Sequence, residues 1–141
     1  MPLKKSSYKN VVKPLEIPVG TDKLTIRYRP NLLTPAYQTK AGLERGEHAQ
    51  NRYRELLASG WENDPTGALA QAQTEAGNYA GAKQLFEILA AWDYEGDDGQ
   101  PVPLTLDELL DTSSELLGLI NAAIGEDIAS GEGLAPNLVA A

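Results

Sequence analysis

Leu15-Glu-Ile-Pro-Val-Gly-Thr-Asp-Lys-Leu-Thr-Ile-Arg-Tyr-Arg29 decides the fold class. Without it the chain reads as a set of helices; with it the chain reads as α+β. Leu15–Val19 and Lys23–Arg29 are two strands joined by a turn at Gly20-Thr21-Asp22. The second strand alternates cleanly. Leu24, Ile26 and Tyr28 point one way, and Lys23, Thr25, Arg27 and Arg29 point the other. Pro14 and Pro18 place the first strand at an edge, because proline cannot donate to a sheet ladder. A lone hairpin is marginal in water, so its apolar side must rest on helices.

Helical signals follow. Thr34-Pro35 is an N-cap with proline at the first helical position, opening a helix from about Pro35 to Leu57. Its apolar stripe is weak, and Ser59-Gly60 ends it. Asn63-Asp64-Pro65 starts the next helix, expected to extend to Ala91. Gly77 and Gly81 fall four apart within it, which permits either a close helix approach or a break near Gly77-Asn78. Leu85, Ile88, Leu89 and Trp92 then follow the i, i+3, i+4, i+7 spacing of a buried helical face, with Ala82 and Phe86 beside it. An acidic turn, Asp93 to Gly99, precedes Pro101-Val-Pro103. Thr105-Leu-Asp-Glu108 and Thr112-Ser-Ser-Glu115 are capping boxes for a short helix and for the most apolar helix of the chain. On that last helix Leu117, Ile120, Ile124 and Ile128 form one stripe, widened by Leu116 and Ala123. The expected fold is therefore α+β, mainly α: a small N-terminal β-hairpin packed on a bundle of about four helices. Residues 1–13 read as a flexible basic arm, 14–130 as a single domain, and 131–141 as a flexible C-terminal tail.

Composition narrows the function. The 141 residues suit one domain, which buries roughly two-thirds of its unfolded surface. There is no cysteine, so neither a disulfide nor a thiolate metal site is available. The opening MPLKKSSYKN has lysines but no apolar run, so no secretory signal is expected, and no stretch approaches the ~20 apolar residues of a membrane span. Charge is divided unevenly: residues 1–59 carry a net of +6 and residues 60–141 a net of −14, giving −8 in total. The acidic part repels phosphates, which argues against nucleic acid as a partner. The split is either an unevenly solvated surface or a pair of complementary ends that meet head to tail.

No catalytic constellation stands out. The one histidine, His48, lies on a polar helix. No Ser-His-Asp set, P-loop or dinucleotide fingerprint is present. The acidic turn fails as a calcium loop. Counting from Asp93, position 6 is Asp98 where glycine is needed, and position 12 is Leu104 where glutamate is needed. No metal or cofactor is expected, and the residues give no reason to expect an enzyme.

Two motifs together resemble the tail assembly chaperones of long-tailed, siphovirus-like bacteriophages. One is Leu24-Thr-Ile-Arg-Tyr-Arg-Pro-Asn-Leu-Leu-Thr-Pro35. The other is Ile88-Leu-Ala-Ala-Trp-Asp93, the acidic turn to Gly99, and Pro101-Val-Pro-Leu-Thr105, completed by leucine-rich helices down to Leu117-Gly-Leu-Ile-Asn-Ala-Ala-Ile124. The likeness spans about residues 23–128. It implies a protein of the infected bacterial cytoplasm, absent from the mature virion. It further implies binding and solubilising of the tape measure protein, recruitment of tail tube protein, and self-association as a homo-oligomer. Neither the Lys-rich arm nor the segment after Gly133 matches that pattern. The expected partner-binding residues are Trp92, Asp93, Leu116, Leu117, Ile120 and Ile124; Trp92 also falls on a buried helical face, and the four on the last helix also form the best apolar stripe for folding. The alternatives are a phage structural or head–tail connecting protein found in the virion, and a small cellular protein-binding adaptor.

Overall fold

The computed structural model describes residues 2–130; the expected flexible tail at 131–141 lies outside the described residues. The chain is α+β and mainly helical, with one small antiparallel sheet. In order the elements are α1 (Lys5–Lys9), β1 (Lys13–Val19), β2 (Asp22–Tyr28), a 3-10 turn (Pro30–Leu32), α2 (Pro35–Leu56), α3 (Pro65–Ile88), β3 (Leu89–Trp92), α4 (Leu106–Asp111) and α5 (Ser114–Ser130). The chain divides into two compact units. One is drawn from both ends, up to Leu32 and from Leu85 onward; the other is Leu33–Gln84.

In the first unit β2 is the central strand, with β1 on one side and β3 on the other. The alternation sets the register. Ile17 faces Leu24, Leu15 faces Ile26 and Lys13 faces Tyr28. Leu24, Ile26 and Tyr28 are buried, while Lys23 and Arg27 are exposed. Lys23 Nζ meets Glu16 at 3.2 Å on the exposed face. α5 packs against β1, and its stripe buries Ile120 and Ile124. Leu85, Ile88, Leu89 and Leu109 are buried in the same unit.

The third strand corrects the helical expectation for this region. The helix stops at Ile88 rather than Ala91, and Leu89–Trp92 turns into a strand beside β2. A bare hairpin leaves the outer backbone groups of β2 without partners, and pairing with Leu89–Trp92 satisfies them. Trp92 lies opposite Ile26 and Ala91 opposite Arg27; a bulge at Ala90 then brings Leu89 opposite Tyr28. The Arg29 N–H donates to the carbonyl of Ile88 at 2.9 Å, at the helix-to-strand switch. A four-residue apolar run fits either period, so spacing alone does not separate the two. Phe86 and Ile128, both expected on buried stripes, are 43% and 42% exposed.

The expected flexible arm contains a short helix. α1 buries none of its residues, yet Asn31 Nδ2 donates to the Tyr8 carbonyl at 2.6 Å.

In the second unit α2 and the body of α3 run antiparallel, linked by regularly spaced rungs. Lys83 Nζ meets Glu44 at 2.9 Å, His48 stacks on Tyr79 at 5.2 Å, and Arg52 Nε meets Glu75 at 2.6 Å. Leu56 packs with Ala68 and Ala72, flanked by Tyr53 and Leu57. Each rung is four residues further along one helix and four back along the other, as antiparallel neighbours require. Lysine and arginine beside them hold the Glu44 and Glu75 carboxyls below the usual glutamate range. Gly60, at φ 114°, reverses the chain after α2, and Asp64 Oδ1 then accepts from Gly67 N–H at 3.1 Å beside Pro65. α3 is unbroken at Gly77, where the missing Cβ leaves room for the Arg45 guanidinium. Gly81 faces open space, so no close helix approach uses it.

Candidate functional site

The first unit carries a groove of about 920 Å³. Three segments distant in sequence build it. The β1–β2 turn supplies Val19 and Thr21–Leu24, the stretch after β3 supplies Asp93–Glu95, and the start of α5 supplies Ser113, Glu115, Leu116 and Leu119.

Local chemistry fixes each wall. Gly20 takes φ 63°, a conformation other residues resist, and lets Val19 pair with Asp22 across a tight turn. Asp93 is bound reciprocally to Thr25. Its N–H donates to the Thr25 carbonyl at 3.1 Å, and its Oδ1 accepts the Thr25 N–H at 2.8 Å. Tyr94 and Glu95 begin a small acidic hairpin. The Val102 N–H donates to the Tyr94 carbonyl and the Gly96 N–H to the Gln100 carbonyl, both at 2.9 Å, with Gly99 at φ 77° in the turn. Ser113 caps α5 by accepting the Leu116 N–H at 3.2 Å. Thr112, expected as that cap, instead closes α4 by donating to the Glu108 carbonyl at 2.7 Å.

The groove has an apolar floor and an acidic rim. Leu24 is buried, Val19 and Leu116 are half-buried, and Leu119 is 38% exposed. The ionic side chains are Asp22, Asp93, Glu95 and Glu115 against one lysine, Lys23, whose ammonium is engaged by Glu16. Such a surface suits an apolar segment flanked by cations. Among the described residues no group of three or more His, Asp or Glu side chains is placed to hold a metal ion.

The six expected partner-binding residues separate into three groups. Asp93 and Leu116 line the groove. Trp92 and Leu117 are half-buried and are not among its lining residues; the Trp92 indole N–H donates to the Val102 carbonyl at 2.8 Å and its ring meets Tyr94 edge-on. Ile120 and Ile124 are a correction. At 0% and 3% exposure they belong to the interior and present nothing to a partner. They lie on the inward stripe of α5, the side that faces the sheet. Sequence reasoning missed Leu119, Asp22 and Glu95. Leu119 had a signal: it stands three residues from Leu116 and four from Ala123, on a second face of the same helix.

A second polar cluster lies within this unit. Lys13 and Tyr28, paired across β1 and β2, both reach Asp127 of α5. Lys13 Nζ is 2.5 Å from Asp127 Oδ2, and the Tyr28 hydroxyl donates to the same oxygen. Burial, and then the Asp127 carboxylate, push the Tyr28 hydroxyl pKa well above its usual value. The cluster is closed over by its partners and fastens α5 to the sheet. No helix among the described residues is long and apolar enough to cross a membrane. Comparison with known protein families, curated proteins and solved structures finds no match to this chain.

Proposed function

We propose that this chain is a phage tail assembly chaperone, which shields apolar helical segments of a tape measure protein and helps recruit tail tube subunits in the infected cell. The observation that carries the reading is the groove: an apolar floor, Leu116 and Leu119 in reach of a partner, and four carboxylates around them. A helix laid in such a groove buries its apolar stripe while its flanking lysines or arginines meet the rim. Phe86, Leu110 and Ile128 add exposed apolar surface on the same unit. The resemblance of residues 23–128 to tail assembly chaperones points the same way. The net charge of −8 keeps a loaded complex soluble.

Co-expression of the full chain with tape measure fragments tests the proposal. The expected result is a soluble complex that co-purifies, with the chain absent from purified virions. Fragments that stay insoluble beside well-folded chain would remove the chaperone reading. Recovery of the chain from virions would favour the head–tail connecting role instead.

A further inference from the structure

We propose that the same groove receives the basic N-terminal arm of a second copy of this chain, so that self-assembly and client capture compete for one site. The inference rests on the groove being a docking site, as proposed above, and names its occupant when no client is bound. Leu3 is 75% exposed and is followed by Lys4 and Lys5, both exposed and without an ion pair among the described residues. An apolar side chain beside two ammonium groups complements an apolar floor with an acidic rim. Leu3 would seat against Leu116 and Leu119, and the lysines against Asp22 and Glu95.

In its own chain the arm lies away from the groove: Leu3 is 75% exposed and is not among the residues that line it. Asn31 holds the Tyr8 carbonyl just beyond the end of β2, whereas the groove lies over the β1–β2 turn at the other end of the hairpin. The seven residues of β2 from Asp22 to Tyr28 span about 20 Å. From Tyr8, with residues 5–8 helical, the backbone reaches Leu3 in about 12 Å, short of the hairpin turn. The occupant is therefore a neighbour's arm. Arm and groove are different surfaces of the molecule, so the contact is heterologous and each copy offers a free arm or groove to the next. A client entering the groove displaces the neighbour's arm and takes the assembly apart.

Charge reversal on the full chain, read by sedimentation velocity, tests this. K4E/K5E alters an arm that buries nothing, and D22K/E95K alters the rim at two exposed positions. Each is expected to weaken self-association about tenfold, the effect of a few exposed pairs turned from attraction to repulsion. The two reversals combined should recover most of the loss. Circular dichroism confirms that each variant is folded; should D22K/E95K misfold, K4E/K5E and L3D decide alone. A wild-type chain that is monomeric at its highest soluble concentration overturns the inference. So does self-association indifferent to the arm variants, or a combined variant no better than the single ones. Client capture is scored separately. K4E/K5E should solubilise a tape measure fragment at least as well as wild type, and failure of every variant and of wild type there would remove the chaperone reading while leaving the arm contact standing.

Discussion

Tyr28 of β2 donates its hydroxyl to Asp127 of α5, 99 residues further along the chain. Lys13, opposite Tyr28 in the strand register, meets the same carboxylate oxygen. One acid thus fastens the last described helix to two neighbouring strands. Tyr28 is 1% exposed and holds its proton above the usual tyrosine range, first because it is buried and then because a carboxylate faces it. The unfolded chain releases that proton near pH 10. Stability from the neutral hydroxyl is therefore complete below pH 10 and is lost as pH climbs from 10 toward the higher folded value. Urea unfolding of wild type and Tyr28→Phe at a series of alkaline pH values checks this. The variant should be less stable by about 1.5–3 kcal/mol at pH 7, the worth of a hydrogen bond to a charged group. That gap should narrow above pH 10. A gap constant across the series would refute the assignment.

Ile120 separates core from surface. It is fully buried, so Ile120→Ala should cost about 2–5 kcal/mol through lost transfer energy and a cavity. Urea or thermal unfolding reads the loss directly. A cost under about 0.5 kcal/mol, the range of ordinary surface changes, would return Ile120 to the partner-binding face.

The elements were legible in the sequence where one local signal sufficed. Alternation at Leu24, Ile26 and Tyr28 gave β2, and its partner's prolines marked an edge strand. Thr34-Pro35 and Thr105 cap α2 and α4 as read, with Thr105 Oγ1 accepting the Glu108 N–H at 3.2 Å. The third strand was not legible, because Leu89–Trp92 continues a helical spacing and only the unpaired edge of β2 decides against it. The groove was half legible. Asp93 and Leu116 were singled out, but their neighbours Asp22 and Glu95 are brought to them by the hairpin turn and the acidic hairpin, which no periodicity reports. Ile120 and Ile124 carried the strongest apolar signal on α5 for the reason that they are core, and the surface residue Leu119 was hidden by the weaker stripe it belongs to.

Gly60 is a test of backbone, not packing. Its φ of 114° reverses the chain after α2, and a Cβ added there would meet nothing within 4 Å. Gly60→Ala therefore carries only conformational strain, of order 1–3 kcal/mol. Thermal unfolding should show that loss with no change in far-ultraviolet circular dichroism at room temperature. A neutral substitution would mean that the reversal tolerates another conformation at this position.

Leu119 decides what the groove is for. The side chain is 38% exposed on the floor, and it makes no hydrogen bond that its removal would strand. Leu119→Ser should cost folding about 1–2 kcal/mol, for the three-fifths of the side chain already covered, and leave the chain folded. A bound helix can cover the part of Leu119 that folding leaves exposed, about two-fifths, which gains roughly 0.6–1.1 kcal/mol, since burying a leucine fully gains about 1.5–3 kcal/mol. Affinity for an apolar, cationic helical peptide should therefore fall about three- to sevenfold, each 1.4 kcal/mol being a factor of ten. Isothermal titration with one such peptide, run beside urea unfolding of the same variant, separates the two effects. Lost stability with unchanged binding would make Leu119 another core residue and the groove an incidental fold of the surface; weakened binding by a variant that is still folded assigns the floor to the partner.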